Sequence, residues 1–155
     1  MGSCRGRYIK MTESVTIRRA APADFTRITQ LLRDAGLPLA GLKGHENFLL
    51  LCRDHRAIGC AAIERSGKYG LLRSVALEPE ERRHGLGRRL VQEALQQARR
   101  DGIAELILFT TTAAPFFVSL GFHAIQRDDV PAPLRASVEF QSACPASAAV
   151  LRLVL

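Results

Sequence analysis

At 155 residues the chain has room for one well-packed domain and little room for a second core. Apolar residues make up 47% and charged residues 24%, an ordinary balance for a globular protein, and no window approaches 18 uninterrupted apolar residues, so no membrane span is expected. The formal charge is 22 − 15 = +7, but Trp is absent and aromatics are only 6%, so no interleaved basic–aromatic pattern supports nucleic-acid binding.

The opening MGSCRGRYIK carries charge with no apolar run behind it and does not read as a secretory leader. Met11 stands just before the first strand pattern, so residues 1–12 are expected to be a disordered extension and residues 13–155 the folded domain. Ser14 to Arg19 alternates as a strand, with Val15 and Ile17 on one side. Pro22 and Asp24 suit a helix start, and Phe25, Ile28, Leu31, Leu32 and Ala35 follow at helical spacing until Gly36 and Pro38 end the run. Residues 46–53 and 56–65 read as strands joined by a short Asp54-His55 hairpin, and residues 69–78 as a third strand after the Gly67 turn. From Gly85 to Arg100 the period becomes helical, with Leu86, Leu90, Val91, Ala94, Leu95 and Ala98 on one face. A short apolar strand at 105–110, a helix at 113–120 and a strand at 122–125 follow. Residues 126–147 are richer in Pro, Asp and Ser, with short helical turns around Leu134-Arg135 and Val138-Phe140, and 148–153 reads as a last strand. The order β-α-β-β-β-α-β-α-β-β requires hairpins, then a helical crossover to a parallel strand. The fold class expected is α/β, a mixed, mostly antiparallel sheet flanked by helices.

Four cysteines (Cys4, Cys52, Cys60 and Cys144) are widely spaced, with no CxxC and no Cys/His pair at zinc-finger spacing. No metal is expected, and the thiols are expected to be reduced, in a cytoplasmic protein.

The segment Arg82-Arg83-His84-Gly85-Leu86-Gly87 carries the chemistry. It follows a strand and an acid-Pro turn and opens a helix, whose first N–H groups are unpaired and whose dipole favours an anion. Glycines let the backbone approach, Arg83, Arg88 and Arg89 add charge, and a pyrophosphate is the natural guest. There is no GxxxxGK[ST] loop, and Leu90 breaks a GxGxxG fingerprint.

Arg82-x-x-Gly85-x-Gly87 fits [QR]xxGx[GA] at each specified position. Together with Val75-Ala76-Leu77-Glu78-Pro79 before it and Phe116-Phe117-x-x-Leu120-Gly121-Phe122 after it, it resembles the GNAT superfamily of N-acetyltransferases over about residues 15–125. The resemblance implies the acyl-CoA N-acyltransferase fold and acetyl-CoA as cosubstrate. It implies that backbone groups of Val75 and Leu77 hold the pantetheine arm. It also implies that backbone N–H groups from Arg83 through His84, Gly85, Leu86 and Gly87 to Arg88 wrap the pyrophosphate, behind Arg82. The thioester is then expected where the strands at 71–78 and 105–110 splay apart. Many members carry a Tyr as general acid where this chain has Phe117, which can pack on the pantetheine but cannot donate; water, Ser119 or a threonine of 110–112 would then have to protonate the thiolate, or there is no dedicated acid.

For the base, Glu64 near a strand end is the candidate, acting through a water. Arg73, a charge in the apolar run Leu71-Leu72-Arg73-Ser74-Val75, needs a partner; two residues before Val75, it is expected to share that residue's face and meet a substrate carboxylate. Ser74, Thr110, Thr111 and Thr112 are expected to add hydroxyls to the same pocket. The run at 71–74, the triple threonine and the tail Glu139-Phe140-x-x-x-Cys144-Pro145 look like the arsenic-resistance-associated branch of the superfamily. That resemblance implies a small amino acid or toxic analogue as acceptor and direct attack in a ternary complex. The alternatives are a protein N-terminal or lysine acetyltransferase, a non-catalytic acyl-CoA sensor, and arsenical binding through Cys52, Cys60 and Cys144. The partner expected is a small-molecule amine, with no nucleic acid or membrane; a homodimer is left open.

Overall fold

A computed structural model of the chain describes residues 14–143 and 145–155, with the backbone alone at 142 and 143. The expected 1–12 extension and Cys144 lie outside the described residues. The elements are β1 (Val15–Arg19), α1 (Phe25–Asp34), β2 (Phe48–Arg53), β3 (Arg56–Ser66), β4 (Tyr69–Leu77), α2 (Leu86–Arg100), β5 (Glu105–Thr110), α3 (Ala114–Ser119), β6 (His123–Ile125), α4 (Ala132–Arg135) and β7 (Ala149–Val154). Single turns of 3-10 helix stand at Pro22–Asp24, Pro79–Glu81 and Arg127–Asp129, and a π-helical turn at Glu139–Ala143. The order is the one the sequence pattern predicts.

The strands form one seven-stranded sheet in the order β1-β2-β3-β4-β5-β7-β6. Every neighbouring pair is antiparallel except β4 and β5, which α2 joins as a parallel pair. Asp54 and His55, with φ of 47° and 69°, make the two-residue hairpin whose left-handed backbone matches strand twist.

Strand alternation divides the core between the two faces. Phe48, Leu50 and Cys52 of β2 pack with Ile28, Leu31 and Leu32 of α1. Leu51 of β2 instead joins Ile58, Ala61 and Leu90 of α2. Further along the sheet, Leu72, Leu106 and Leu108 meet Val91, Leu95, Phe117 and Phe122 on the α2–α3 side. Leu71, Ile107 and Val150 are covered on the α1 side by Val130, Leu134 and Phe140 of the segment before β7. Among the described residues, no helix is long and apolar enough to cross a membrane.

Candidate active site

Two interruptions in the middle of the sheet create the site. The first is where β4 and β5 part company. Their parallel ladder runs from Tyr69↔Glu105 to Leu71↔Ile107 and then stops. Beyond it a cavity of about 850 Å³ opens, walled by Leu72–Leu77 on one side and Leu108–Ala113 on the other.

The second is a β-bulge between β3 and β4. Cys60 opposes Ala76 and Ala62 opposes Arg73, so Ala61 alone faces both Ser74 and Val75. Ser74 takes up the extra residue with φ 58°, in a region that costs a non-glycine residue ~1–3 kcal/mol. The expectation that Arg73 shares the face of Val75 fails for this reason. Val75 packs with the α2-side clusters. Arg73 points the other way, under the loop that follows α1.

Arg73 is the most tightly held side chain of the site. It is 1% exposed, and its donors reach four protein acceptors. Nη1 donates to Glu64 Oε1 at 3.1 Å, Nη2 to the carbonyls of Ala40 and Pro38 at 2.9 and 3.5 Å, and Nε to Ser74 Oγ at 3.3 Å. Glu139 Oε2 lies 3.9 Å from Nε. A buried guanidinium is tolerated only with such neighbours. The loop after α1 fits closely over it: a Cβ on Gly41 would stand 3.3 Å from Arg73 Nη1 and 2.9 Å from Val138 Cβ.

The basic turn stands at the other end of the cavity, which Arg82, Arg83, Gly85, Gly87 and Arg88 line. Arg83 and Gly85 have φ of 68° and 77°, an alternation that turns successive N–H groups toward one concavity. Acid–base clamps fix the approach to this turn. Glu78 accepts from Arg27 and Arg56, and Glu81 from Arg53 Nη2 at 2.8 Å. A Cβ on Gly87 would meet Leu77 Cδ1 at 3.0 Å, so glycine lets α2 start against β4. His84 and Leu86 belong to the turn without lining the cavity; Leu86 packs toward Leu90 and Val75.

Val75, Leu77, Arg73, Ser74, Thr110, Thr111, Thr112 and Phe117 all line the cavity. Phe117 stacks edge-on with Phe116 at 5.0 Å and Phe122 at 5.8 Å. Thr110 Oγ1 accepts from the Ala113 N–H at 3.0 Å, which fixes the start of α3.

The structure does not bring Glu64 and Ser119 to the cavity wall. Glu64 Oε1 accepts from Arg73 Nη1, and the side chain remains partly exposed. Ser119 lies on the seam between α2 and α3, where its hydroxyl donates to the Phe116 carbonyl at 2.5 Å and accepts from Arg88 Nη2 at 2.8 Å. The sequence reading missed Glu139 as a wall residue. Its signal was an acid between Val138 and Phe140 in a predicted helical turn. Cys60 is buried and donates to the Ser74 carbonyl at 3.3 Å. Burial pushes its thiol up to about 12, so it stays protonated and unreactive. Among the described residues, no group of three His, Cys, Asp or Glu is arranged for a metal ion.

A mixed sheet parted at a parallel strand pair, with a basic glycine turn at one end of the gap, defines an acyl-CoA N-acyltransferase fold. The family model for the acetyltransferase (GNAT) domain matches residues 44–124, and the chain belongs to that family of acetyltransferases.

Among curated relatives, the amino-acid acetyltransferase of Edwardsiella ictaluri (strain 93-146) is 30% identical over 149 residues, covering 88% of this chain and 33% of the relative. That of Neisseria meningitidis serogroup A is 29% identical over 136 residues, covering 81% and 31%. The chain therefore spans about a third of the length of these relatives. Among solved structures, N-acetylglutamate synthase from Neisseria gonorrhoeae, complexed with coenzyme A and N-acetyl-glutamate, superposes with a TM-score of 0.78 at 25% identity over 92% of this chain and 35% of that one. A Mycobacterium tuberculosis protein in complex with CoA shares the fold, with a TM-score of 0.78 at 24% identity over 90% of this chain and 99% of that one.

Proposed function

We propose that the chain transfers the acetyl group of acetyl-CoA to the amino group of a small acid-bearing acceptor, an amino acid or a toxic amino-acid analogue such as an arsenical one, by direct attack in a ternary complex. The observation that carries this reading is the two-ended cavity. One end presents unpaired helix N–H groups and three arginines, suited to a pyrophosphate. The other presents the buried Arg73 beside the hydroxyls of Ser74 and Thr110–Thr112. The reacting carbon belongs between them, in the gap where β4 and β5 no longer pair. The amino-acid acetyltransferase and N-acetylglutamate synthase relatives support an amino-acid acceptor.

In this scheme the pantetheine arm lies along the open edge of Val75 and Leu77, with Phe117 as its apolar floor. The turn from Arg83 to Arg88 takes the pyrophosphate. Most Arg73 donors are already committed to protein atoms, so the residue offers a substrate carboxylate its charge at short range more than an empty fork. Glu64 fixes that guanidinium. Ser119 holds Arg88 against α3, and the departing thiolate takes its proton through water.

The test is acetyl-CoA-dependent thiol release against a panel of free amino acids, their analogues and amines lacking an acid group. Carboxylate-bearing amines are expected to turn over, and Arg73→Ala to raise the acceptor KM at least ~10-fold while leaving acetyl-CoA affinity within about twofold. Arg73→Lys should recover part of the loss. No turnover of any carboxylate-bearing amine, or an unchanged acceptor KM in Arg73→Ala, would sink the reading.

A further inference from the structure

Among the described residues, the ionised groups lining the cavity are Arg73, Arg82, Arg83, Arg88 and a single carboxylate, Glu139. Three of the arginines belong to the glycine turn. Glu139 sits at the opposite end, buried, with Oε2 3.9 Å from Arg73 Nε. A carboxylate held in a largely apolar wall costs folding energy, which the Arg73 charge beside it helps to offset.

The backbone around Glu139 is firmly placed. It opens a π-helical turn, a distortion frequent at functional sites. The carbonyl of Phe140, the next residue, accepts from Arg127 Nη2 at 2.5 Å, and its N–H donates to Ser137 Oγ at 3.2 Å. The Arg127 guanidinium lies 4.9 Å from the Phe140 ring and 5.5 Å from the ring of Phe109, itself part of the cavity wall. On the other side, Val138 fits against Gly41. Neighbours on both flanks thus hold the backbone on either side of Glu139, and its carboxylate lies 3.9 Å from Arg73 Nε.

We propose that Glu139 binds the ammonium group of the acceptor and takes its first proton. This rests on the function proposed above and deepens it by naming the group that prepares the nucleophile. An α-amino acid carries an ammonium and a carboxylate on one carbon. Glu139 and Arg73 present the complementary charges side by side, which is the arrangement that recognises such a zwitterion.

The proton balance is complete. The ammonium N–H bond breaks, its proton passes to the Glu139 carboxylate and then to solvent, and the nitrogen regains its lone pair. That pair forms a bond to the thioester carbon, and the C–S bond breaks with its electrons leaving on sulfur. The proton lost by the acylated nitrogen ends on the thiolate. The sum is an amide, free CoA thiol and one proton in solution.

The test uses the full chain, acetyl-CoA and the amine that the wild type turns over fastest. Glu139→Gln is expected to lower kcat/KM for that amine ~10²-fold at pH 7, with acetyl-CoA affinity within twofold of wild type. The deficit should shrink as the pH rises toward the amine's own pKa, because solvent then supplies the free base. Glu139→Asp, which keeps the charge but withdraws it by one methylene, should retain an intermediate rate with the same pH trend. A Glu139→Gln rate within threefold of wild type, or a deficit equal at every pH, overturns the proposal. Should Glu139→Gln lose acetyl-CoA binding and so its fold, Glu139→Asp decides, and a wild-type rate there overturns it. A wild type that binds acetyl-CoA but acetylates no amine overturns the proposed function with it; an active wild type with an unaffected variant overturns this inference alone.

Discussion

Gly85 meets nothing within 4 Å at the position a Cβ would occupy, yet its φ of 77° lies where a side chain is disfavoured. Its role is thus conformational. Gly85→Ala is expected to cost ~1 kcal/mol of stability through the backbone alone. Because the turn can relieve that strain by rotating its N–H groups, the same variant should weaken acetyl-CoA binding several-fold. Calorimetric titration beside a melting curve checks both; an unchanged affinity would mean these N–H groups do not touch the anion. The glycine turn was legible in the sequence because a left-handed backbone at Gly85 and the close approach of Gly87 to Leu77 dictate residue type at fixed spacing. Glu139 was not, because a lone acid in a short irregular segment acquires meaning only when packing lays it against Arg73. For Glu64 the strand position was readable, but its hydrogen bond to the Arg73 guanidinium was not.

The entrance to α1 depends on a single carboxylate. Asp24 accepts from Arg18 Nη1 at 2.7 Å and from the Ala21 N–H at 2.7 Å. The Arg18 hydrogen bond, with help from Ala21, holds its carboxyl down at about 2. A carboxyl lowered in the folded state stabilises above its unfolded pKa, and that contribution disappears as pH falls through the folded value. Arg18 is largely solvated, so the worth of the pair is on the order of 1 kcal/mol. Asp24→Asn should be less stable than wild type by that amount at pH 7, with the difference closing between about pH 4 and pH 2. Urea melts at several pH values give the answer, and a pH-independent difference would assign the loss to something other than charge. At this scale the elements were legible from periodicity and turn residues. The bulge at Ser74 was not, since serine carries no left-handed preference, and the kink follows from how β3 and β4 must pair.

All seven strands belong to one sheet, held together across the β4–β5 gap by the ladder at Tyr69–Leu71, and both faces are covered by helices of the same chain. The described domain should therefore unfold in one cooperative transition. Acetyl-CoA at 100 times its Kd should stabilise the fold by about 2.7 kcal/mol, a rise in Tm of roughly 5–10 °C for a chain of this size. Differential scanning calorimetry with and without ligand reads both quantities; two transitions, or a ligand-insensitive Tm, would contradict them.

The bulge at Ser74 has a consequence for how such a protein can be retargeted. It gives one strand two separate constituencies: Arg73 answers to the loop after α1 and to Glu139, while Val75 and Leu77 answer to α2. Replacements on the first side can redraw the proposed acceptor pocket without disturbing the packing beneath the glycine turn. Under the proposed function, an engineer seeking a new amine can work through Arg73, Glu139 and the loop at 37–41 as an exchangeable cassette, leaving the half that carries the glycine turn as a fixed chassis.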